Sequence, residues 1–107
     1  MYKNIEKQVK LQLKEQVDYQ QGQVVSKTLV QNDSVSMTLF AFDKDEEISA
    51  HESAGDAMVT VLEGKGRFMV ADEKFYLESG DTLIMPKGIP HAVYGEERFK
   101  MQLIVSY

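Results

Sequence analysis

The chain has no cysteine and no tryptophan, and among its 107 residues there are only two prolines and two arginines. Without cysteine there can be no disulfide framework, thiolate zinc site or cysteine nucleophile, and the redox compartment stays open. Cations are scarce too: 12 Lys and Arg stand against 17 Asp and Glu, a net charge of −5. A sequence-independent grip on nucleic acid needs clustered cations facing phosphates, so the reading is no nucleic-acid partner. No apolar run approaches membrane-spanning length, and the opening MYKNIEKQVK lacks the apolar centre of a signal peptide. The expectation is therefore a cytoplasmic protein with no membrane partner. Low-complexity stretches, solenoid repeats and Pro/Ser-rich linkers are missing as well. What is present is ordinary globular material, 43% hydrophobic and 27% charged. It suffices for one domain that buries roughly two-thirds of its unfolded surface.

From residue 22 onward the apolar period is two. In SVSMTLFAF, Val35, Met37, Leu39 and Ala41 alternate with Ser36, Thr38, Phe40 and Phe42, as in a strand buried on one face and partly covered on the other. AMVTVLEGKGRFMV reads as two strands joined by a turn at Glu63–Gly66. KFYLESGDTLIMP gives a strand, a turn at Ser79–Asp81, and a second strand ended by Pro86. HAVYGEERFKMQLIVSY reads as a last hairpin with GEER, residues 95–98, at its charged tip. In the first 20 residues, Val9, Leu11 and Leu13 alternate with lysines and glutamine, which favours an edge strand over a helix. Many short strands and no convincing helix imply a single all-β domain, a sandwich or a barrel. Residues 1–34 are read as N-terminal strands packing on the barrel, and residues 35–107 as its core.

Two histidines, His51 and His91, stand beside turn signals. The stretch holding the second fits the pattern G(X)5PXG(X)2H through Gly80, Pro86, Gly88 and His91, with Gly95 in place of a final Asn. Here the chain resembles the cupin superfamily, whose second motif this is. The first cupin motif is matched by His51 and Gly64, while Asp45, Ser53 and Ala57 replace its Gly, second His and Glu. The resemblance covers about residues 35–105 and implies a jelly-roll barrel with His51 and His91 facing one another across its mouth. The turn glycines and the strand-ending proline also fit a β-turn-β unit without reference to any family.

Resemblance to cupins further implies three His and one Glu around a divalent Mn, Fe, Ni, Cu or Zn ion. This chain keeps two of those four ligands. Ser53 is a poor donor for such ions, and Ala57 offers none. Asp56, next to the Ala57 position, is a third candidate that a turn could re-aim inward. Glu52 should face outward by parity, and Glu63 lies too far along its strand. The readings are a weak, substoichiometric site for Zn, Ni, Fe or Mn, or a metal-free pair of ligand-orienting imidazoles.

Parity further names Met37, Leu39, Val59, Val61, Met85, Val93, Met101 and Leu103 as facing the interior. The ligand-binding candidates are His51, His91, Ser53, Tyr94, Met37, Val59 and Met101, around an apolar barrel that is either filled or open to one small molecule. The leading functional reading is a small-molecule-binding cupin. The alternatives are a metal-dependent isomerase, lyase or dioxygenase, and a scaffold with a filled barrel. Phe40, Phe42, Met58 and Leu62 fall on the outer face by parity, an apolar patch that implies a homodimer.

Overall fold

The computed structural model describes residues 1–107 and contains seven strands and a single 3-10 turn. The strands are β1 (Val24–Gln31), β2 (Val35–Phe42), β3 (Glu47–His51), β4 (Asp56–Val70), β5 (Glu73–Glu78), β6 (Thr82–Met85) and β7 (His91–Ser106). Every pairing is antiparallel, giving the all-β fold that the period-two pattern anticipates and the jelly-roll barrel that the cupin resemblance implies. Hydrogen bonds do not close the barrel into a ring: β1, β3, β5 and β6 are edges.

β4 and β7 carry the architecture. They pair from Asp56 opposite Ser106 to Val70 opposite His91. One half of this long ribbon is flanked by β2 and β6, with β1 beyond β2; the other half is flanked by β3 and β5. The two strands thus belong to both layers and bend between them.

That bend corrects two expectations. Neither Glu63–Gly66 nor the GEER segment at 95–98 is a hairpin turn, since both lie inside continuous strands. The glycines there serve close approach instead. Gly64 has φ +77°, and a Cβ on it would strike the Arg98 carbonyl oxygen and come within 2.7 Å of the Phe99 Cα. A Cβ on Gly66 would lie 2.8 Å from the Phe99 ring, and one on Gly95 would lie 2.6 Å from the Asp43 carbonyl oxygen. The ladder slips register between Val61 and Glu63 and again between Gly64 and Gly66, so the ribbon turns the corner by bulging rather than ending. Phe99 fills the corner, stacked on Phe42 at 4.6 Å between ring centroids and edge-on to Phe68 at 6.0 Å.

Strand β2 is turned over relative to the parity reading. Phe42 belongs to the interior cluster with Ala57, Val59, Val61, Phe68, Met85, Val93, Phe99 and Met101, and Phe40 packs against it. Leu39 and Ala41 are buried on the opposite face, with Met37 beside them, so Met37 and Leu39 do not line the interior. Both faces of β2 are apolar because both are covered, and alternation alone cannot tell the two covers apart.

The second cover is the segment before β1. It forms no strand: its only regular element is the 3-10 turn Leu13–Glu15, and Asn4 and Gln8 have positive φ, which no ladder accommodates. Val17 is buried against Leu29, Leu39 and Ala41, with Ile5, Leu13 and Tyr19 around it. Side chains fasten the strap. Lys100 Nζ donates to the Lys14 carbonyl at 2.6 Å, Lys27 Nζ to that of Gln16 at 3.0 Å, and Tyr19 OH to Glu63 at 2.6 Å.

A test of the bend compares two glycines that share positive φ. Gly64→Ala is expected to lose more than about 2 kcal/mol in urea unfolding, from strain plus collision. Gly80→Ala, with φ +92° but nothing within 4 Å of its Cβ, should lose about 1 kcal/mol. Equal losses would mean that the close approach at Gly64 does not matter.

Candidate functional site

Away from the bend the two layers end at a mouth crossed by the loops at residues 52–55 and 86–90, with the β4–β5 turn at 71–72 beside them. Pro86 follows the last residue of β6, and Gly88, with φ +73°, turns the chain back towards β7. Backbone bonds tie the loops together. Gly88 N–H donates to the Ser53 carbonyl at 3.2 Å, and Ala71 N–H to that of Pro90 at 2.9 Å.

His91 opens β7 between His51 at the end of β3 and Val70 at the end of β4. The imidazoles meet edge to face, centroids 4.3 Å apart and planes inclined at 65°. His91 is buried and His51 exposed. Each ring bonds a carbonyl two residues upstream: His51 Nδ1 lies 3.0 Å from the Ser49 oxygen, and His91 Nδ1 lies 3.3 Å from the Ile89 oxygen. A carbonyl only accepts, so Nδ1 carries the proton in both rings, and a neutral ring then presents Nε2 as a lone pair. Burial disfavours the imidazolium of His91 and holds its pKa below the ordinary 6.5; the Ile89 carbonyl opposes this, and the nearby His51 adds to the lowering.

The other sequence candidates do not join this pair. Ser53 Oγ donates to the Gly55 carbonyl at 2.7 Å within its own loop. Asp56 Oδ1 accepts from the Lys87 N–H at 2.9 Å, tying the two crossing loops. Tyr94 alternates with the buried Val93 and lies on the outside of the barrel. Its hydroxyl donates to Asp45 at 2.8 Å, a bond that raises its pKa, and Arg67 sits 4.1 Å from its ring centroid. Val59 and Met101 are packed in the interior, among the largest fully buried side chains apart from Met101's 2% exposure. Met37 lines a groove of about 460 Å³ on the outer face, under the strap, with Tyr2, Ile5 and Leu29. The only other cavity, of about 400 Å³, is walled by Gln31, Asn32, Asp33, Ala54 and Tyr107. Neither lies inside the barrel.

The residues do not fit the four-ligand metal centre that the resemblance implies. No group of three His, Asp, Glu or Cys side chains converges anywhere in the chain. The Ala57 methyl is buried in the core, and the Glu63 carboxylate is engaged by Tyr19 beneath the strap. Two features escape a reading of side chains: the Ser49 and Ile89 carbonyls that set the tautomers, and the Glu52 side chain. Backbone acceptors leave no mark in residue identity. Glu52, outward by parity, lies beside the 86–90 loop, with Oε1 3.9 Å from where a Cβ on Gly88 would stand.

Comparison with known proteins agrees with this fold. The family model described as "Cupin domain" matches residues 38–107. A conserved protein of unknown function from Streptococcus pyogenes is 43% identical over 98% of this chain and 92% of its own, with a TM-score of 0.95. A cupin superfamily protein from Desulfitobacterium hafniense is 33% identical, covering 99% of this chain and 97% of its own, also with a TM-score of 0.95. Salicylate 1,2-dioxygenase from Pseudaminobacter salicylatoxidans is 18% identical over 78% of this chain and 26% of its own, with a TM-score of 0.72, which is a likeness of fold alone. A search of curated proteins found no significant match. No helix is long and apolar enough to cross a membrane.

The lowered pKa of His91 fixes a pH dependence. On acidification the unfolded chain takes up its proton first, so stability falls below about pH 6.5 and levels off once His91 is protonated in the folded chain. Asp43, held down to about 2 by its bond to Arg98 and by the Gly22 N–H, acts in a separate window, below its ordinary 3.8. The urea midpoint should therefore decline between about pH 7.5 and about pH 5.5, and His91→Gln should flatten that decline. An unchanged decline in the variant would assign it to other groups.

Proposed function

The chain belongs to the cupin family, and from that premise we propose that it binds a small organic molecule at the mouth of the barrel, contacted by His51 and His91. The observation that carries this reading is the imidazole pair itself. Each ring is fixed through Nδ1 by a backbone carbonyl, and Nε2 of each has no protein partner. A packed interior supports binding at the mouth rather than deep inside, with Ser53 and the 86–90 loop framing the ligand. Isomerase, lyase or dioxygenase chemistry of the metal-dependent kind needs a firmly held ion, and two imidazoles make up only half of the family's ligand set. Binding is thus the preferred activity. A Zn, Ni, Fe or Mn ion offered to the pair is held weakly, with water in its remaining positions.

The proposal includes a homodimer. Phe40 and Phe42 face inward and Leu62 lies half-buried beside the strap, so the outer apolar face is other than parity suggested. It consists of Met58 and Ile84, 42% and 50% exposed, joined across the sheet by Ile104. Such a row supports an isologous contact between copies.

Two measurements test the reading. A calorimetric nickel titration should give affinity at least about tenfold weaker than three His and one Glu would confer, and His51→Ala should abolish it. Tight stoichiometric binding that survives His51→Ala would move the site elsewhere. Sedimentation should give about twice the 12.2 kDa chain mass, and Met58→Lys should shift it towards one copy. A single-chain mass for the parent at micromolar concentration would remove the dimer.

A further inference from the structure

We infer that the ligand taken by this pair carries an ammonium group. This rests on the reading that His51 and His91 contact a small organic molecule, and it adds the chemistry of the end they contact. Both Nδ1 atoms are committed to carbonyl acceptors, at Ser49 and Ile89. In their neutral form the two rings therefore offer two lone pairs at Nε2 and no free N–H donor. A carboxylate or phosphate, which only accepts, finds nothing to bond. A hydroxyl supplies one hydrogen for two acceptors. An ammonium supplies three, enough for both rings, whose centroids lie 4.3 Å apart, with one left for solvent.

The charges around the mouth point the same way, independently of the tautomers. The loops and turn at the mouth carry Glu52 and Asp72 against Lys87, and the strand ends beside them carry Asp56 and Glu73 against Lys74. Asp56 is anchored on the Lys87 N–H, and Glu52 reaches the 86–90 loop, so both carboxylates of the 52–56 segment lie against that loop. Within a chain of net charge −5, this rim attracts cations and repels anions. The packed interior also limits depth: Val59, Val61, Phe68 and Met85 are fully buried in it. The ammonium end enters, and the rest of the molecule stays at the rim near Ile89, which is 37% exposed.

The experiment compares three probes with one ring and different heads: benzylammonium, benzyl alcohol and benzoate. Each is titrated near pH 7.5 in the presence of a chelator, so that no metal mediates binding. The readout is the NMR signals of the two imidazole Hε1 protons. Benzylammonium should shift both, saturably, at a concentration at least about tenfold below that needed by benzyl alcohol, and benzoate should shift neither. Glu52→Gln should weaken benzylammonium by about threefold and leave benzyl alcohol unchanged. His51→Gln, an exposed position that leaves the core intact, should abolish the saturable shift of His91. If benzyl alcohol or benzoate binds through His51 while benzylammonium does not, the ammonium inference is overturned and the binding site stands. If benzylammonium binds equally well to His51→Gln, the site itself is wrong.

Discussion

The β4–β7 ribbon is the constraint on which the rest of the molecule depends. Two strands of 15 and 16 residues stay paired while passing from one layer into the other, and they can do so only where backbone approaches backbone without a Cβ between. Gly64 provides that approach, Gly66 leaves room for the Phe99 and Phe68 rings, Gly95 lets the β2–β3 connection close on β7, and Phe99 fills the corner. Every other strand is an addition to one half of the ribbon. The bend therefore brings the two sheet faces together, buries Phe42, Phe68 and Phe99 between them, and leaves one open end. His91 stands there because β7 begins there.

The same geometry separates two surfaces that the sequence does not distinguish. The interior is packed with aromatic and branched side chains, and the outer face of β1 and β2 is covered by the N-terminal strap. The strap is fastened less by backbone ladder than by cations reaching up from the sheet. Lys100 and Arg98 both lie over the Tyr19 ring, at 4.8 and 5.1 Å from its centroid, while the Tyr19 hydroxyl holds Glu63. Burial and that carboxylate push the Tyr19 pKa upward, so the hydroxyl keeps its proton and remains a donor. With both faces of β2 closed, the mouth is where polar side-chain chemistry and solvent meet.

Much of the fold was legible in the sequence because period two survives wherever one face is buried and the other wet. The strands at 73–78 and 82–85 and the turn at 79–81 follow directly from it. It failed at β2, whose two covers are both apolar, so that Phe40 and Met37 exchanged places. It failed also at Gly64 and Gly95, where a glycine allowing a close approach looks the same as a glycine making a turn. The strap defeated it for a different reason: Val9, Leu11 and Leu13 alternate as a strand would, yet positive φ at Asn4 and Gln8 is a tertiary outcome. Of the candidate site, His51 and His91 were legible from motif spacing. Tyr94 was not, since one residue of register decides between mouth and outer surface. The tautomers were wholly hidden, because backbone carbonyls set them.

Those tautomers are the central claim about the site, and having only two histidines makes them directly observable. Long-range 1H–15N NMR of the imidazoles near pH 7.5 distinguishes a protonated ring nitrogen from a lone-pair nitrogen. The account predicts that both rings carry the proton on Nδ1 and a lone pair on Nε2, with His91 keeping that form to lower pH than an ordinary histidine. A proton on Nε2 of either ring would turn an acceptor into a donor and contradict it.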